Sequence, residues 1–445
     1  MTPPPPAAPA GGSAPANDAR PPVRYLAPVT PRLDVELITD TAGCKLTGGS
    51  GASCWGYNQS NVVRAADQVY ALSWRDDMSL VVYRRAAPGQ WEASPALPPV
   101  PQNGNLLVDG AGRPHVIAGA NASWHALFDP PGQVQRFELL ELAEADSRFG
   151  AAIDDDDRIF VAGGLQRLAW YVLDPGDGPG GGPGDGYHPV AAGAVEHEPA
   201  RGYHFAVWRD GQAHTFCSDD YFLPGDQYPN QTVTTRNLET GEVTTTETPH
   251  GIYPVLRTYY YHNADLLNRP DDWRCTVVSD VCDTFVDGAR GTTDQQDLML
   301  DADGLLHLVY YENRQPSREV WAGNGQDQAN SRLYHAVGPP GGPFATWCLG
   351  AFTSGRVCQT ADGRFHYFLT HGRRGAAESL WYAAGAPGAW DAIGEPVRLD
   401  LPGPFWHAFA SATRAGGSSE QDLDLYWTGA YQADSNRAWY GRLTV

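Results

Sequence analysis

The segment from Leu298 to Arg314, LMLDADGLLHLVYYENR, alternates in character rather than in helical period. Leu298, Met299 and Leu300 are apolar, Asp301-Ala302-Asp303-Gly304 is polar, and Leu306 to Tyr311 is apolar and aromatic again. Asp hydrogen-bonds the backbone two residues on, and Gly accepts a positive φ, so the pattern predicts two strands around a tight turn. The same pattern returns as VVRAADQVYALSW at 62–74, LLVDGAGRPHVIAG at 106–119, AAIDDDDRIFVAGG at 151–164, AVEHEPARGYHFAVW at 194–208 and VCQTADGRFHYFLT at 357–370. A looser copy, ASATRAGGSSEQDLDLYWT, ends at 428. No long stretch carries a helical period.

One column of this repeat reads Tyr70, His115, Phe160, His204, His307, His366 and Leu425, with steps of 45, 45, 44, 103, 59 and 59 residues. Each copy is followed by a third strand-like run, such as SLVVYRR, RLAWYVL or AHTFCSD. Most then show a Gly/Pro turn and a fourth run, as in APGQWEAS and GPPGGPFATWCL. Four antiparallel strands per copy, seven times over, predict an all-β chain folded as a seven-bladed β-propeller. The last copy stops after its third strand. RLDVELI, 32–38, is expected to supply the missing fourth strand and close the ring, which removes exposed sheet edges. The column histidines are expected to be packing units between blades rather than catalysts. Residues 1–30 read as a disordered Pro/Ala/Gly-rich linker, residues 31–445 as the propeller, and about 217–297 as an insertion.

Composition sharpens this reading. The 445 residues include 50 Gly and 36 Pro, which suits many turns, and no apolar run is long enough to span a membrane. The net charge of −21 repels phosphate backbones and anionic membranes, which excludes nucleic acid as a partner. Six of the seven cysteines fall into close pairs: Cys44 with Cys54, Cys275 with Cys282, and Cys348 with Cys358, leaving Cys217 over. Their spacing is not that of a zinc site, and no metal centre is expected. Local disulfides in an oxidising compartment are expected, with reduced thiols as the alternative. A secreted or periplasmic monomer is expected, the N-terminal linker being of the kind that often follows an export signal, with a cytosolic protein as the alternative. No cofactor is expected. The acidic, Gly-rich run at 174–186 lacks EF-hand spacing and leaves only a structural calcium open.

In a propeller, two kinds of loop reach one mouth of the central channel: those entering each innermost strand and those joining second and third strands. The entering positions carry Tyr57, Asn58, Gln59, Asn103, Gln296, Arg356, Trp406 and His407. The second-to-third loops carry Arg75, Arg314, His371, Arg373, Arg374 and Tyr431. An acidic protein thus gathers arginines toward one mouth, where their planar forks fit carboxylates. Aromatic rings there can stack on sugars, and Asn and Gln can read hydroxyls, a set suited to an acidic polysaccharide or oligosaccharide. The bland alternative is that the arginines pair with neighbours such as Asp76, Asp77 and Glu312. The insertion carries Tyr261 and His262, which either reach the site from a lid or belong to a strand.

The segment 54–94, CWGYNQSNVVRAADQVYALSWRDDMSLVVYRRAAPGQWEAS, resembles the first blade of the bacterial-neuraminidase-type repeat propellers that include ulvan lyases and related rhamnose–glucuronate-cleaving enzymes. The resemblance rests on Tyr57-Asn58-Gln59-Ser60-Asn61 and the later Arg84-Arg85, and extends over blades one and two, about a fifth of the chain. It implies β-elimination on a uronate- or rhamnose-containing polysaccharide. Where ulvan lyases carry two histidines in blade two, this chain has Asn103 or Asn105 and the stretch from Asn121 to Ser123, so that base is not carried over. A uronate lyase must hold the carboxylate, stabilise the enolate-like charge and remove the C5 proton. Arg314, Arg373 and Arg374, assisted by Asn58, Gln59 and Asn103, are candidates for the first task. His407, His371, Tyr57, Tyr261 and His262 are candidates for acid and base. A glycoside hydrolase would instead use a carboxylate pair drawn from Asp76, Asp77, Asp297 and Glu312. A non-catalytic glycan- or protein-binding propeller is the reading from a different class.

Overall fold

The structure is a computed structural model. It describes residues 20–42, 60–75, 77–100, 104–119, 123–141, 149–164, 167–175, 187–196, 201–219, 231–236, 243–248, 255–281, 285–286, 289–314, 331–373, 376–403, 405–411, 423–429 and 436–445. The strands assemble into seven antiparallel four-stranded units. Blade one is Val62–Ala65, Gln68–Trp74, Leu80–Ala87 and Gln90–Ala93. Blade two is Gly104–Val108, Pro114–Gly119, Ser123–Leu127 and Glu138–Glu141, and blade three is Gly150–Ile153, Ile159–Gly163, Arg167–Asp174 and His188–Glu196. Blade four is Arg201–Arg209, Gln212–Ser218, Arg257–Asn263 and Arg274–Asp280, and blade five is Thr292–Leu300, Leu306–Asn313, Ser331–Gly338 and Ala345–Gly350. Blade six is Ser354–Gln359, Phe365–Arg373, Ala376–Gly385 and a broken fourth strand, Ala392–Gly394 with Val397–Leu399. Blade seven is Phe405–Ala410, Leu423–Gly429, Ala438–Thr444 and, from the N-terminal side, Arg32–Thr39.

Each sheet is covered on both faces, so most inner strands are apolar throughout rather than alternating. The core is a set of wedges between neighbouring blades. One joins blades four and five through Phe205, Tyr260, Leu308 and Tyr334, and another joins blades six and seven through Phe368, Tyr382, Leu425 and Trp427. First strands of adjacent blades touch around the channel, and hydrogen bonds tie them together. The Leu106 N–H donates to the Ser60 carbonyl at 2.7 Å, the Asn105 amide to the Phe149 carbonyl at 3.3 Å, and the Gln295 amide to the Tyr203 carbonyl at 2.8 Å. Gly150 has no side chain to spare here, because a Cβ would collide with the His204 carbonyl of the next blade. Ring closure is further locked by Arg64 on Asp424, at 2.6 Å, and by Arg85 on Glu36, at 2.5 Å.

Three expectations are corrected. First, blade four is shifted. The run read as its first strand is blade three's fourth, His188–Glu196, and AHTFCSD is its second strand, not its third. His204 therefore lies in an innermost strand, and the repeat column passes through His214. The insertion falls between the second and third strands of blade four, and within it Gln231–Arg236 pairs with Val243–Thr248. Tyr261 and His262 are third-strand residues of the blade itself. The alternation of tyrosines is that of a doubly buried strand.

Second, part of the stretch read as linker is strand. Arg24–Leu26 pairs in parallel with Ala392–Gly394 of blade six, and Pro22 bridges Cys348 of blade five. Its prolines permit this because they sit at an outer edge, where a missing N–H costs least. Residues 1–19 lie outside the described residues. Third, the expected Cys348–Cys358 disulfide is not formed, both residues being buried, and Cys275 is in no disulfide among the described residues. Ten positions apart in sequence, Cys348 and Cys358 are separated by the architecture, on the outer strand of blade five and the innermost strand of blade six. Cys44, Cys54 and Cys282 lie outside the described residues.

Candidate functional site

The meander topology carries the entering ends of the innermost strands and the second-to-third loops to one mouth. In blades four, five and seven the innermost strand is irregular at this entering end. The register slips between Arg201 and Phe205, between Gln295 and Asp297, and between Phe405 and Ala408. The innermost pairs of blades one, two, three and six run without a slip. Bulges re-aim side chains and gather beside functional sites. Here they hold His204, Gln296, Trp406 and His407. A further slip between His371 and Gly372 lies on the second strand of blade six, at the same mouth.

Arg356 forms the floor. It is buried, its Nη1 donates to the Gln296 carbonyl, and it stands 3.7 Å from Asp297. Its guanidinium lies 4.9 Å from the Phe205 ring centroid and 5.4 Å from that of Phe409. One side chain from blade six thus touches blades four, five and seven. Asp297 also accepts the Val357 and Leu298 N–H groups, each within 3.0 Å. The Gln296 Nε2 and the Gln295 Oε1 are buried without a hydrogen-bond partner, polar atoms beside the Arg356 floor.

Glu312 forms the blade-five wall. Its carboxylate accepts from Arg20 Nη1 at 2.8 Å, from Arg20 Nη2 at 2.5 Å, from Arg314 Nε at 2.8 Å and from Ser279 Oγ at 2.5 Å. Burial pushes its pKa up, but the hydrogen bonds and charges of Arg20 and Arg314 outweigh burial and hold it below the ordinary range. The Arg314 side chain is about one-third exposed and the Glu312 side chain is fully buried. Arg75 is half-buried at the end of blade one's second strand, where its backbone turns onto Ser79. His371 is half-buried and Arg373 ends its strand.

Gln296, Arg356, Arg314, Arg75, His371, Arg373, Trp406 and His407 therefore share this mouth, although the side chains of Arg373, Trp406 and His407 lie outside the described residues. Tyr57, Asn58, Gln59, Asn103, Arg374 and Tyr431 also lie outside them. Tyr261 and His262 do not join the mouth. They sit two strands out from the channel, Tyr261 packed with Cys217 and Trp170, and His262 stacked on His214 at 4.9 Å. Burial pushes the Tyr261 hydroxyl far up and the His262 imidazole down, as expected for packed interior groups. Arg20, in the stretch read as linker, is the residue that sequence reasoning missed. Only its neighbours in space mark it.

A cavity of about 840 Å³ opens at the opposite mouth, among the turns joining first to second strands. Most of its carboxylates are already committed. Asp109 binds Arg113 and His115, Asp301 binds His307, and Asp157 accepts the Gly110 N–H. Their chemistry is that of turn anchors.

No family model matches the chain, and the search of curated proteins found no match. Solved structures do match over nearly its whole length. An ulvan lyase of polysaccharide lyase family PL25, bound to a GlcA(1-4)Rha3S saccharide, is 12% identical over 92% of this chain and 95% of its own, with a TM-score of 0.56. A second PL25 ulvan lyase structure is 13% identical over 92% of this chain and 95% of its own, with a TM-score of 0.51. The polysaccharide lyase Uly1 is 10% identical over 94% of this chain and 100% of its own, with a TM-score of 0.53. At these identities the likeness is one of fold: the chain is a seven-bladed propeller of the shape those lyases have.

Proposed function

We propose that the protein is a secreted or periplasmic carbohydrate-active enzyme that cleaves a uronate- or rhamnose-containing polysaccharide by β-elimination. The observation that carries this reading is the mouth itself. In a chain of net charge −21, the second-strand ends that carry Arg75, Arg314 and Arg373 lie at the same mouth as the bulged entering ends of the innermost strands. A local cation cluster in an acidic field favours an anionic ligand held at that spot. The full-length fold likeness to polysaccharide lyases, one of them holding a glucuronate saccharide, supports the same substrate class.

In this reading Arg75, Arg314 and Arg373 bind the uronate carboxylate and stabilise the enolate-like charge that forms as the C5 proton leaves. His407 or His371 takes the proton, each standing at a bulge. No cofactor takes part. The hydrolase reading is weakened because Asp297 and Glu312 are occupied by Arg356, Arg20 and Arg314. The test is incubation with a panel of uronate-containing polysaccharides, following ultraviolet absorbance of unsaturated uronate together with new reducing ends. Both signals are expected. Reducing ends without absorbance would make the enzyme a hydrolase. Binding without either signal would make it a glycan-binding propeller.

A further inference from the structure

Glu312 at the mouth is held by two arginines of different origin. Arg314 follows it on the second-to-third loop. Arg20 arrives from the N-terminal segment, 292 residues away in sequence. Arg20 is fixed on every side: both Nη atoms bond Glu312, Nη1 also bonds the Tyr310 hydroxyl at 3.1 Å, and its guanidinium lies 3.6 Å from the Tyr334 ring centroid. The backbone beyond it is anchored too, with the Val23 N–H donating to the Cys348 carbonyl and the Cys348 N–H to the Pro21 carbonyl, each at 2.9 Å. The Ser279 hydroxyl of blade four completes the carboxylate's partners.

Charge is what this arrangement decides. Arg314 with Glu312 alone is neutral, and an anionic ligand would meet no net field there. With Arg20 the group carries one net positive charge, and Arg314 is the more exposed of its two cations, at 35% against 20%. We propose that Arg20 is a specificity-setting, positioning residue: it neutralises Glu312, so that Arg314 presents an uncancelled charge to the carboxylate or sulfate of an acidic saccharide. This rests on the function proposed above and assigns the N-terminal strap a part in it.

The test compares Arg20→Met, Arg20→Lys and the double variant Arg20→Met/Glu312→Gln with the wild type. Binding of a glucuronate-containing oligosaccharide is measured by calorimetry at low and high salt, and Arg314 labelling by phenylglyoxal is measured by peptide mass spectrometry. Arg20→Met should bind about three- to tenfold more weakly at low salt, with the gap narrowing as salt screens the charge. Arg20→Lys should recover part of the loss. The double variant restores one net positive charge and should recover most of it, which a merely structural clamp would not do. Wild-type binding by Arg20→Met, or no recovery in the double variant, would overturn the proposal. If the wild type binds no acidic saccharide, the proposed function fails, and the labelling still decides this inference. Arg314 should react several-fold more slowly in Arg20→Met, where Glu312 is left to it alone. Unchanged labelling would overturn the inference by itself.

Discussion

Arg356 occupies an entering position of the repeat, where the pattern of the chain places a substrate-facing cation. Folded, it is a buried arginine between two phenyl rings, with Asp297 and the Gln296 carbonyl as polar partners. Removing one member of a buried ion pair leaves the other charge uncompensated, at a cost of about 3 kcal/mol or more. Arg356→Met is therefore expected to lower the urea midpoint strongly without changing the slope, whereas Arg75→Ala at the rim should stay within about 0.5 kcal/mol of wild type. Equal losses in the two variants would contradict the distinction between floor and rim. The types of these residues were legible in the sequence, but their exposure was not. Burial depends on which rings from blades four and seven arrive across the channel, Phe205 lying 151 residues before Arg356 and Phe409 lying 53 after it.

Elements differ in how plainly they announce themselves. RLDVELI was readable as a closing strand because the last repeat lacks a fourth strand and this run alternates, and it does pair with Ala438–Thr444. The strap ahead of it was not, because a three-residue strand between prolines and polar residues carries too little periodicity to stand out. Blade four was misplaced for a related reason. AVEHE and YHFAVW flank a turn-like PARG and so mimic the hairpin that begins a blade. Deletion tests the two N-terminal elements separately. Removing residues through 31 strips the strap and is expected to lower the melting temperature by several degrees while leaving a folded ring. Removing residues through 39 also exposes the edge of blade seven, and aggregation or edge-to-edge association is expected on size-exclusion chromatography. A folded monomer after the longer deletion would show that the ring does not need this closure.

Across the molecule one device recurs in blades two, four, five and six. A histidine on the second strand bonds a residue on the third: His115 to His125 at 2.9 Å, His214 to Tyr260 at 2.8 Å, His307 to His335 at 2.9 Å, and His366 to Tyr382 at 2.9 Å. Burial pushes the pKa of each of these histidines below 6.5, to about 3 at His214 and about 4 at His366. Well above pH 6.5 neither folded nor unfolded chain protonates them, and stability is level with respect to these groups. Below it the unfolded chain takes up protons that the folded chain refuses, so stability falls as pH drops toward 4. The melting temperature is expected to decline between pH 7 and 4.5, before most carboxylates titrate. A level profile over that range would mean the folded state accepts those protons. The repeat itself determined the all-β class, the blade count and the strand that closes the ring, because period and turn chemistry are local and survive in the unfolded string. Only the tertiary structure decided which arginine is floor and which is rim, that Tyr261 and His262 lie inside a wedge, and that Arg20 stands against Glu312. Those are contacts between distant segments, set by how wedges pack around a channel, and no local pattern encodes them.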